Sequence, residues 1–233
     1  MSEEAAYPGK ELETFSQARN WRSYWATALR SYIAGDVLEV GAGIGTNTAH
    51  INHSQVRAIH CLEPDPALAA QLRSAVRETP GITVSVGTIG SLAGRLFDTI
   101  LYIDVLEHIE DDKSELARTV RLLRPGGRLI VLAPAHQALY SPFDEAIGHY
   151  RRYDRRSLIA CSPPSCRLEK ANYLDCVGVI ASGVNRAVLK QTVPALWQIM
   201  LWDKYMIPIS KALDPLLGYH LGKSVVAVWV RAA

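Results

Sequence analysis

Short apolar runs alternate with amphipathic stretches along most of this chain. Runs of strand type stand at DVLEV (36–40), RAIHCLE (57–63), ITVSV (82–86), FDTILYI (97–103) and RLIVLA (128–133). Helix-like stretches separate them at 46–54, 65–78 and 112–123. Pro66 sits near the start of the second, where its missing N–H costs nothing, and RPGG (124–127) reads as the stop of the third. Upstream, Leu12, Phe15, Trp21, Tyr24, Trp25 and Leu29 recur at mixed spacings of three and four, which predicts a helix over 11–33. Downstream, SVVAVWV (224–230) reads as the last strand, with CRLEKANYL (166–174) before it in the sheet. Strands that are apolar nearly throughout are buried on both faces. Alternating β and α units of this kind predict an α/β fold: a parallel sheet covered by helices. No internal repeat, low-complexity segment or Gly/Ser/Pro-rich linker interrupts the pattern.

Composition narrows the class only slightly. The 233 residues are 48% apolar and 21% charged, ordinary for a soluble globular protein able to bury a core as one domain. A net charge of +2 gives no global pull towards nucleic acid or membrane. The start, MSEEAAYPGKE, is acidic and polar, unlike a secretory leader, and no run of about 18 apolar residues predicts a spanning helix. Cys61, Cys161, Cys166 and Cys176 form no CxxC pair and no zinc-like Cys/His set. They read as reduced core residues of a cytoplasmic protein, and no metal is expected.

The main chemical signal is VLEVGAGIGTNT (37–48), just past the first strand. Ligands of open α/β sheets bind beyond the carboxyl ends of the strands, where the strand order reverses. Gly41, Gly43 and Gly45 would let backbone N–H groups approach a nucleotide with no Cβ in the way. The dinucleotide fingerprint GxGxxG is not met, because Thr46 stands at its third glycine, and the P-loop lysine is absent. A pyrophosphate is therefore a poor candidate for the main handle. Glu63, ending the second strand in CLEPD, can accept both hydroxyls of a ribose. The bland alternatives are a tight turn for the glycines and a solvated loop acid for Glu63.

LEVGAGIGTNT, LEPD, DTILYIDVLEHIEDD and LLRPGGRLIVLAP, in that order over roughly residues 20 to 135, resemble the successive motifs of class I S-adenosylmethionine-dependent methyltransferases. The resemblance implies a Rossmann-like, doubly wound, seven-stranded sheet, mostly parallel with an antiparallel last strand and helices on both faces. It implies one domain over 1–233: a helical cap (1–33), a cofactor-binding half (34–135) and an acceptor-side half (136–233) with an apolar insertion at about 177–222. Glu39 and the loop Gly41, Ala42, Gly43 and Gly45 would hold the methionine part of S-adenosylmethionine, and Glu63 its ribose. Thr88 and Ile89 would border the adenine, where many relatives carry an acid that this chain lacks. Asp104 and Val105 would lie near the methionine carbons, and His108 would face the pocket or pack beneath it. Trp21, Tyr24 and Trp25 would cover the cofactor or serve as core. S-Adenosylhomocysteine would be the product.

The acceptor side is read from APAHQALYSPFDEAIGHYRRYDRRSL (133–158), which leaves the fifth strand above the expected cofactor. A GHYRRYD-like string occurs in one methyltransferase subgroup. His149 is the first candidate base and His136 the second, since imidazole titrates near neutrality. Tyr140, Arg151, Arg152 and Tyr153 are candidate acceptor contacts, the arginines for a phosphate or carboxylate. Equally, RRYDRR reads as a solvated helix start with Asp154 as its N-terminal acid. Further on, Trp197, Met200, Leu201, Trp202, Tyr205 and Met206 surround almost a whole helix, flanked by Lys204 and Lys211. A helix apolar all round must be covered, so residues 192–217 are expected to form core or lid, a homodimer interface, or a peripheral membrane contact.

The expected activity is methyl transfer to an oxygen or nitrogen of a small molecule, hydrophobic or anionic, with no nucleic-acid partner. The alternatives are a non-catalytic binding protein on the same fold and, less favoured, an NAD(P)-dependent reductase.

Overall fold

The computed structural model describes residues 10–184 and 195–232. Seven strands form one sheet: β1 (Gly35–Val40), β2 (Val56–Glu63), β3 (Ile82–Val86), β4 (Phe97–Ile103), β5 (Leu123–Pro134), β6 (Cys166–Leu174) and β7 (Ser224–Arg231). Their order is β3-β2-β1-β4-β5-β7-β6, with β1 to β5 parallel and β7 antiparallel to both neighbours. The chain winds outward from β1 to β3, then returns to lay β4 beside β1. That reversal opens a crevice at the carboxyl ends of β1 and β4.

The apolar strands bury both faces. Leu38, Tyr102, Val131 and Trp229 enter one core, while Val37, Leu101, Ile130 and Val228 enter the other. The alternation follows the two-residue period of a strand. Helices α1 (Lys10–Phe15), α2 (Arg19–Leu29), α3 (Thr48–Ile51), α4 (Pro66–Val76) and α5 (Asp112–Thr119) are followed by α6 (Pro142–Ala146), α7 (Arg155–Ile159), α8 (Cys176–Val184), α9 (Leu196–Leu201) and α10 (Ile207–Leu216). Leu116 of α5 and Leu158 of α7 pack on the first face; Trp25, Leu72 and Ile207 of α2, α4 and α10 pack on the second. Cys61, Cys161 and Cys176 are buried free thiols, and Cys166 is half-buried.

Several boundaries differ from the periodicity. The expected helix 11–33 breaks after Phe15, because Arg22 turns back to donate to the carbonyls of Phe15 (2.9 Å) and Ser16. The 46–54 helix shrinks to Thr48–Ile51, since the glycine loop occupies its first turn and Asn52 is extended. The helical stretch ends at Leu122, just ahead of RPGG as expected, but RPGG itself lies within β5, where the pairing jumps from Phe97↔Leu123 to Thr99↔Arg128. Gly127 is needed in that bulge, as a Cβ there would come within 2.9 Å of the Arg124 carbonyl oxygen. Helix α4 starts as expected: Pro66 opens it and Asp65 Oδ1 accepts from the N–H of Ala67 (2.7 Å) and Leu68 (3.1 Å).

The apolar insertion is sided rather than apolar all round. Ile199, Trp202 and Ile207 are buried, whereas Trp197, Met200 and Tyr205 are exposed. Buried carboxylates seat this segment. Asp175 accepts from Trp202 Nε1 (2.7 Å) and Ser210 Oγ (2.6 Å), Asp214 from Tyr24 Oη (2.6 Å), and Asp203 from the N–H of Trp21 (2.8 Å). The polar residues Asp203, Ser210 and Asp214 thus hold the insertion against α2 and β6. Residues 185–191 of the insertion, and 192–194 of the expected contact segment, lie outside the described residues. No helix among the described residues is long and apolar enough to cross a membrane.

Candidate functional site

The loop after β1 carries Gly41, Gly43 and Gly45 at φ +65°, +55° and +85°, a region that L side chains rarely enter. Gly41 is also demanded by packing: a Cβ would meet Val105 Cγ2 at 2.7 Å. At Gly43 a Cβ would meet only Leu12, at 3.7 Å, so the peptide there borders open space. That space is a cavity at the carboxyl ends of β1 and β4, bounded by Ala42 and Gly43 on one side and by Asp104, Glu107, His149 and Lys223 on the other. Leu12, Phe15 and Trp21 cover it from α1 and α2.

Two glutamates stand behind the loop. Glu39 is the penultimate residue of β1 and is buried; Thr48 Oγ1 donates to its Oε2 at 2.7 Å, while Oε1 has no hydrogen-bond partner. Burial pushes its carboxyl up to about 7, against the opposing bonds from Thr48 and Cys61. Glu63 ends β2 and accepts from the N–H of Gly43 (2.8 Å) and Asp65 (2.9 Å), one bond to each oxygen. A carboxylate has about four lone-pair sites, so each oxygen retains acceptor capacity.

The other wall is built from the segment after β4 and the loop before α7. Asp104 stands at φ +54° and reaches into the cavity; it is open to that space yet enclosed by protein, and this desolvation raises its carboxyl to about 6. Glu107 is wholly buried, and neither of its carboxylate oxygens has a hydrogen-bond partner. Burial, reinforced by Asp104, holds its carboxyl well above the usual range. The His108 ring packs edge-on against His149, centroids 4.5 Å apart, and burial lowers it to about 4. His149 Nδ1 donates to Asp144 Oδ1 at 2.9 Å, with Nε2 turned to Glu107 at 3.8 Å. Arg152 grips the same Asp144 through Nε (2.7 Å) and Nη2 (2.9 Å). Burial alone would raise Asp144, but the bonds from His149 and Arg152 outweigh it and hold the acid far below the carboxylate range. Lys223 reaches the cavity from the start of β7, its amine 4.1 Å from the Trp202 ring centre.

The sequence candidates thus divide. Gly41, Ala42, Gly43, Asp104, His149 and Arg152 border one cavity, with Glu39 and Glu63 behind its loop. Gly45 and Val105 do not line the cavity, and Val105 packs on Gly41. Thr88 is exposed just past β3, and Ile89 is buried in the core. His136 lies elsewhere: Nε2 bonds the Gly222 carbonyl at 3.0 Å and the ring stacks on Tyr173. Tyr140 donates to the His149 carbonyl (2.6 Å), Arg151 pairs with Asp112 (2.7 Å), and buried Tyr153 donates to Asp112 (2.8 Å). None of these three lines the cavity. Asp154 caps α7 through the Ser157 N–H (2.7 Å), as the helix-start reading of RRYDRR requires. Trp21 borders the cavity; Tyr24 and Trp25 are core. Sequence reasoning gave no role to Arg22, to Lys223 or to Glu107, which lies within DTILYIDVLEHIEDD; the three meet only through the fold.

A methyltransferase-domain family model matches residues 38–129, from β1 through most of β5. The chain is 25% identical over 217 residues to trans-aconitate 2-methyltransferase of Deinococcus radiodurans, covering 87% of this chain and 83% of that protein. It is 29% identical over 145 residues to demethylmenaquinone methyltransferase of Tropheryma whipplei, covering 61% of this chain but only 57% of that protein. The solved structure of coclaurine N-methyltransferase, bound to N-methylheliamine and S-adenosylhomocysteine, superposes with a TM-score of 0.62 at 13% identity, covering 92% of this chain and 72% of that one.

Residues 38–129 thus resemble a methyltransferase domain, and the fold is shared with solved methyltransferases. The sheet order places the first strand-to-helix loop at the crevice, and the match begins within β1, the strand that presents it. The match ends at Leu129, so the wall formed by Asp144, His149 and Arg152 lies outside it.

Proposed function

We propose that this chain transfers a methyl group from S-adenosylmethionine to an oxygen or nitrogen of a small molecule seated beside His149. The observation that carries the reading is the unpartnered Glu39 Oε1, buried behind a glycine loop whose Gly43 borders open space. A buried oxygen without a donor is costly, and the donor's ammonium, directly or through water, would satisfy it. Glu63 would hold the ribose hydroxyls with its remaining acceptor capacity. Asp104 would lie beside the methionine carbons, with Val105 supporting Gly41; Thr88 and Ile89 are the adenine-side candidates.

The donor, when bound, supplies an already activated methyl on a sulfonium, so little covalent chemistry is asked of the protein. Leu12, Phe15 and Trp21 exclude water from above. Asp144 holds the His149 ring so that Nε2 is available to take the acceptor's proton. Arg152 Nη1 is buried without a partner and would bond an anionic group on the acceptor. Of the two candidate bases, His149 borders the cavity and His136 does not.

Calorimetric titration with S-adenosylhomocysteine and, separately, NADPH tests the reading. Saturable binding of the first alone is expected. Binding of NADPH alone would refute it in favour of a reductase. Methyl transfer to a panel of small carboxylic acids, amines and phenols then separates an enzyme from a binding protein. We also propose a lipid contact through the exposed Trp197, Met200, Tyr205 and Leu216, flanked by Lys204 and Lys211. Flotation with anionic liposomes would detect it, and failure to float would remove it.

A further inference from the structure

The wall of the cavity holds a donor set that methyl transfer does not require. Glu107, His108 and His149 each offer one ligating atom, and these atoms all lie within 4.8 Å of one another. We infer that Glu107, His108 and His149 form a binding site for a divalent cation of the zinc class.

Glu107 points to a ligand on its own account. Its side chain is 0% exposed, and both carboxylate oxygens lack a hydrogen bond, with His149 Nε2 3.8 Å from Oε1. Buried polar atoms are nearly always bonded, and two orphans on one acid call for an occupant between them and their neighbours. The imidazoles are arranged to complete the set. His149 Nδ1 is tied to Asp144 at 2.9 Å, which leaves Nε2 as the lone-pair nitrogen on the Glu107 side. A ligating histidine whose other nitrogen donates to a carboxylate is the usual outer support of a metal site. His108 stands edge-on to that ring and bonds the Gly148 backbone. All three residues line the cavity, so an ion held by them would keep coordination positions open towards it.

The donor chemistry selects the ion. Two imidazoles and one carboxylate suit zinc and its first-row neighbours; magnesium and calcium prefer oxygen throughout. Glu107 and His149 lie on separate segments with no ligand spacing between them, so the sequence alone predicts no metal there. One consequence rests on the methyl-transfer reading. With an ion in place, His149 Nε2 would be a ligand rather than the base, and the ion would lower the pKa of a coordinated acceptor hydroxyl, whose proton would pass to solvent. Cation binding itself does not depend on that reading.

The test uses the full chain stripped with a chelator and titrated calorimetrically with Zn²⁺ or with Mg²⁺. One Zn²⁺ per chain is expected, with no comparable Mg²⁺ site. Co²⁺ in its place should give intense visible bands of four- or five-coordination and no thiolate charge-transfer band, which excludes the cysteines as ligands. Glu107→Gln should weaken Zn²⁺ binding about 100-fold or more, and Asp144→Asn about 10- to 100-fold, with melting curves showing both variants folded. Absent stoichiometric Zn²⁺ binding, Zn²⁺ affinity of Glu107→Gln within about twofold of the parent, or a thiolate-type Co²⁺ spectrum overturns the site. S-Adenosylhomocysteine titrated into the same sample keeps the two ideas apart: its binding without Zn²⁺ removes only the metal site, and Zn²⁺ binding without it removes only the methyl-transfer reading.

Discussion

His149 donates through Nδ1 to Asp144 Oδ1 at 2.9 Å, and Asp144 is itself fixed by Arg152 and by the N–H and Oγ of Ser141, both 2.9 Å from Oδ2. This carboxylate sets the tautomer and orientation of the ring. In the proposed reaction the acid would orient the ring and the imidazole would act as base, as where a carboxylate backs a catalytic histidine. In the metal-free protein, His149→Ala is expected to lower kcat by about 10²- to 10⁴-fold while leaving S-adenosylhomocysteine affinity near that of the parent. Single-turnover kinetics beside calorimetry would separate the two. Undiminished turnover would remove His149 as the base.

Gly43→Val should abolish cofactor binding. Gly43 stands at φ +55°, bordering the cavity, so a branched side chain would both strain the loop and fill the approach path. Titration with S-adenosylhomocysteine reads the effect, and a melting curve shows whether the variant is folded. Parent-like affinity in a folded variant would reject the loop assignment.

Glu63→Ala should weaken the same binding by about 1–3 kcal/mol, as for a lost bond to a charged group. Part of the loss would come from the loop, since Glu63 also holds the Gly43 N–H at 2.8 Å. Glu63→Gln keeps one acceptor oxygen and should lose less. A negligible loss in both variants would contradict the ribose role.

Glu39 makes stability depend on pH. Burial raises its carboxyl from 4.5 to about 7, so between those values the folded state binds more protons than the unfolded one. Stability from this group is fully present below pH 4.5 and is lost as pH rises through about 7. The change is on the order of 3 kcal/mol. Glu39→Gln should remove that part of the slope in denaturant melts of the ligand-free protein between pH 4.5 and 7.5. An unchanged slope would mean that Glu39 ionises normally in the fold.

Tyr24→Phe tests how the insertion is anchored. Its hydroxyl donates to Asp214 at 2.6 Å, and Asp214 also accepts from the N–H of Asp175 (2.7 Å) and Cys176 (3.0 Å). Losing one buried bond to a charged group should cost about 1.5–3 kcal/mol, or several degrees in Tm for a chain of this size. An unshifted Tm would show that water or a neighbour replaces the hydroxyl.

Legibility followed the range of the interactions. The expected 82–86 and 97–103 coincide with β3 and β4, because strands buried on both faces are continuous apolar runs. Asp65 and Pro66 marked the start of α4 through a local cap. The division of 11–33 into α1 and α2 was hidden, since it depends on Arg22 folding back on two carbonyls. RPGG marked the helix end at Leu122 but not the strand bulge that it forms, which only pairing with β4 reveals. Trp202 and Tyr205 look alike in a list of apolar residues, yet one is 6% exposed and the other 57%.

By itself the sequence determined the alternating α/β layout, the bare loop after β1 and the acids near the ends of β1 and β2, because strand burial and backbone conformation are encoded by near neighbours. Only the tertiary structure decided which of Tyr140, His149, Arg151, Arg152 and Tyr153 reach the cavity, and that Glu107 and Lys223 join them. Those positions depend on contacts between residues far apart in the chain, where a single side chain's orientation is set by packing that no local pattern records.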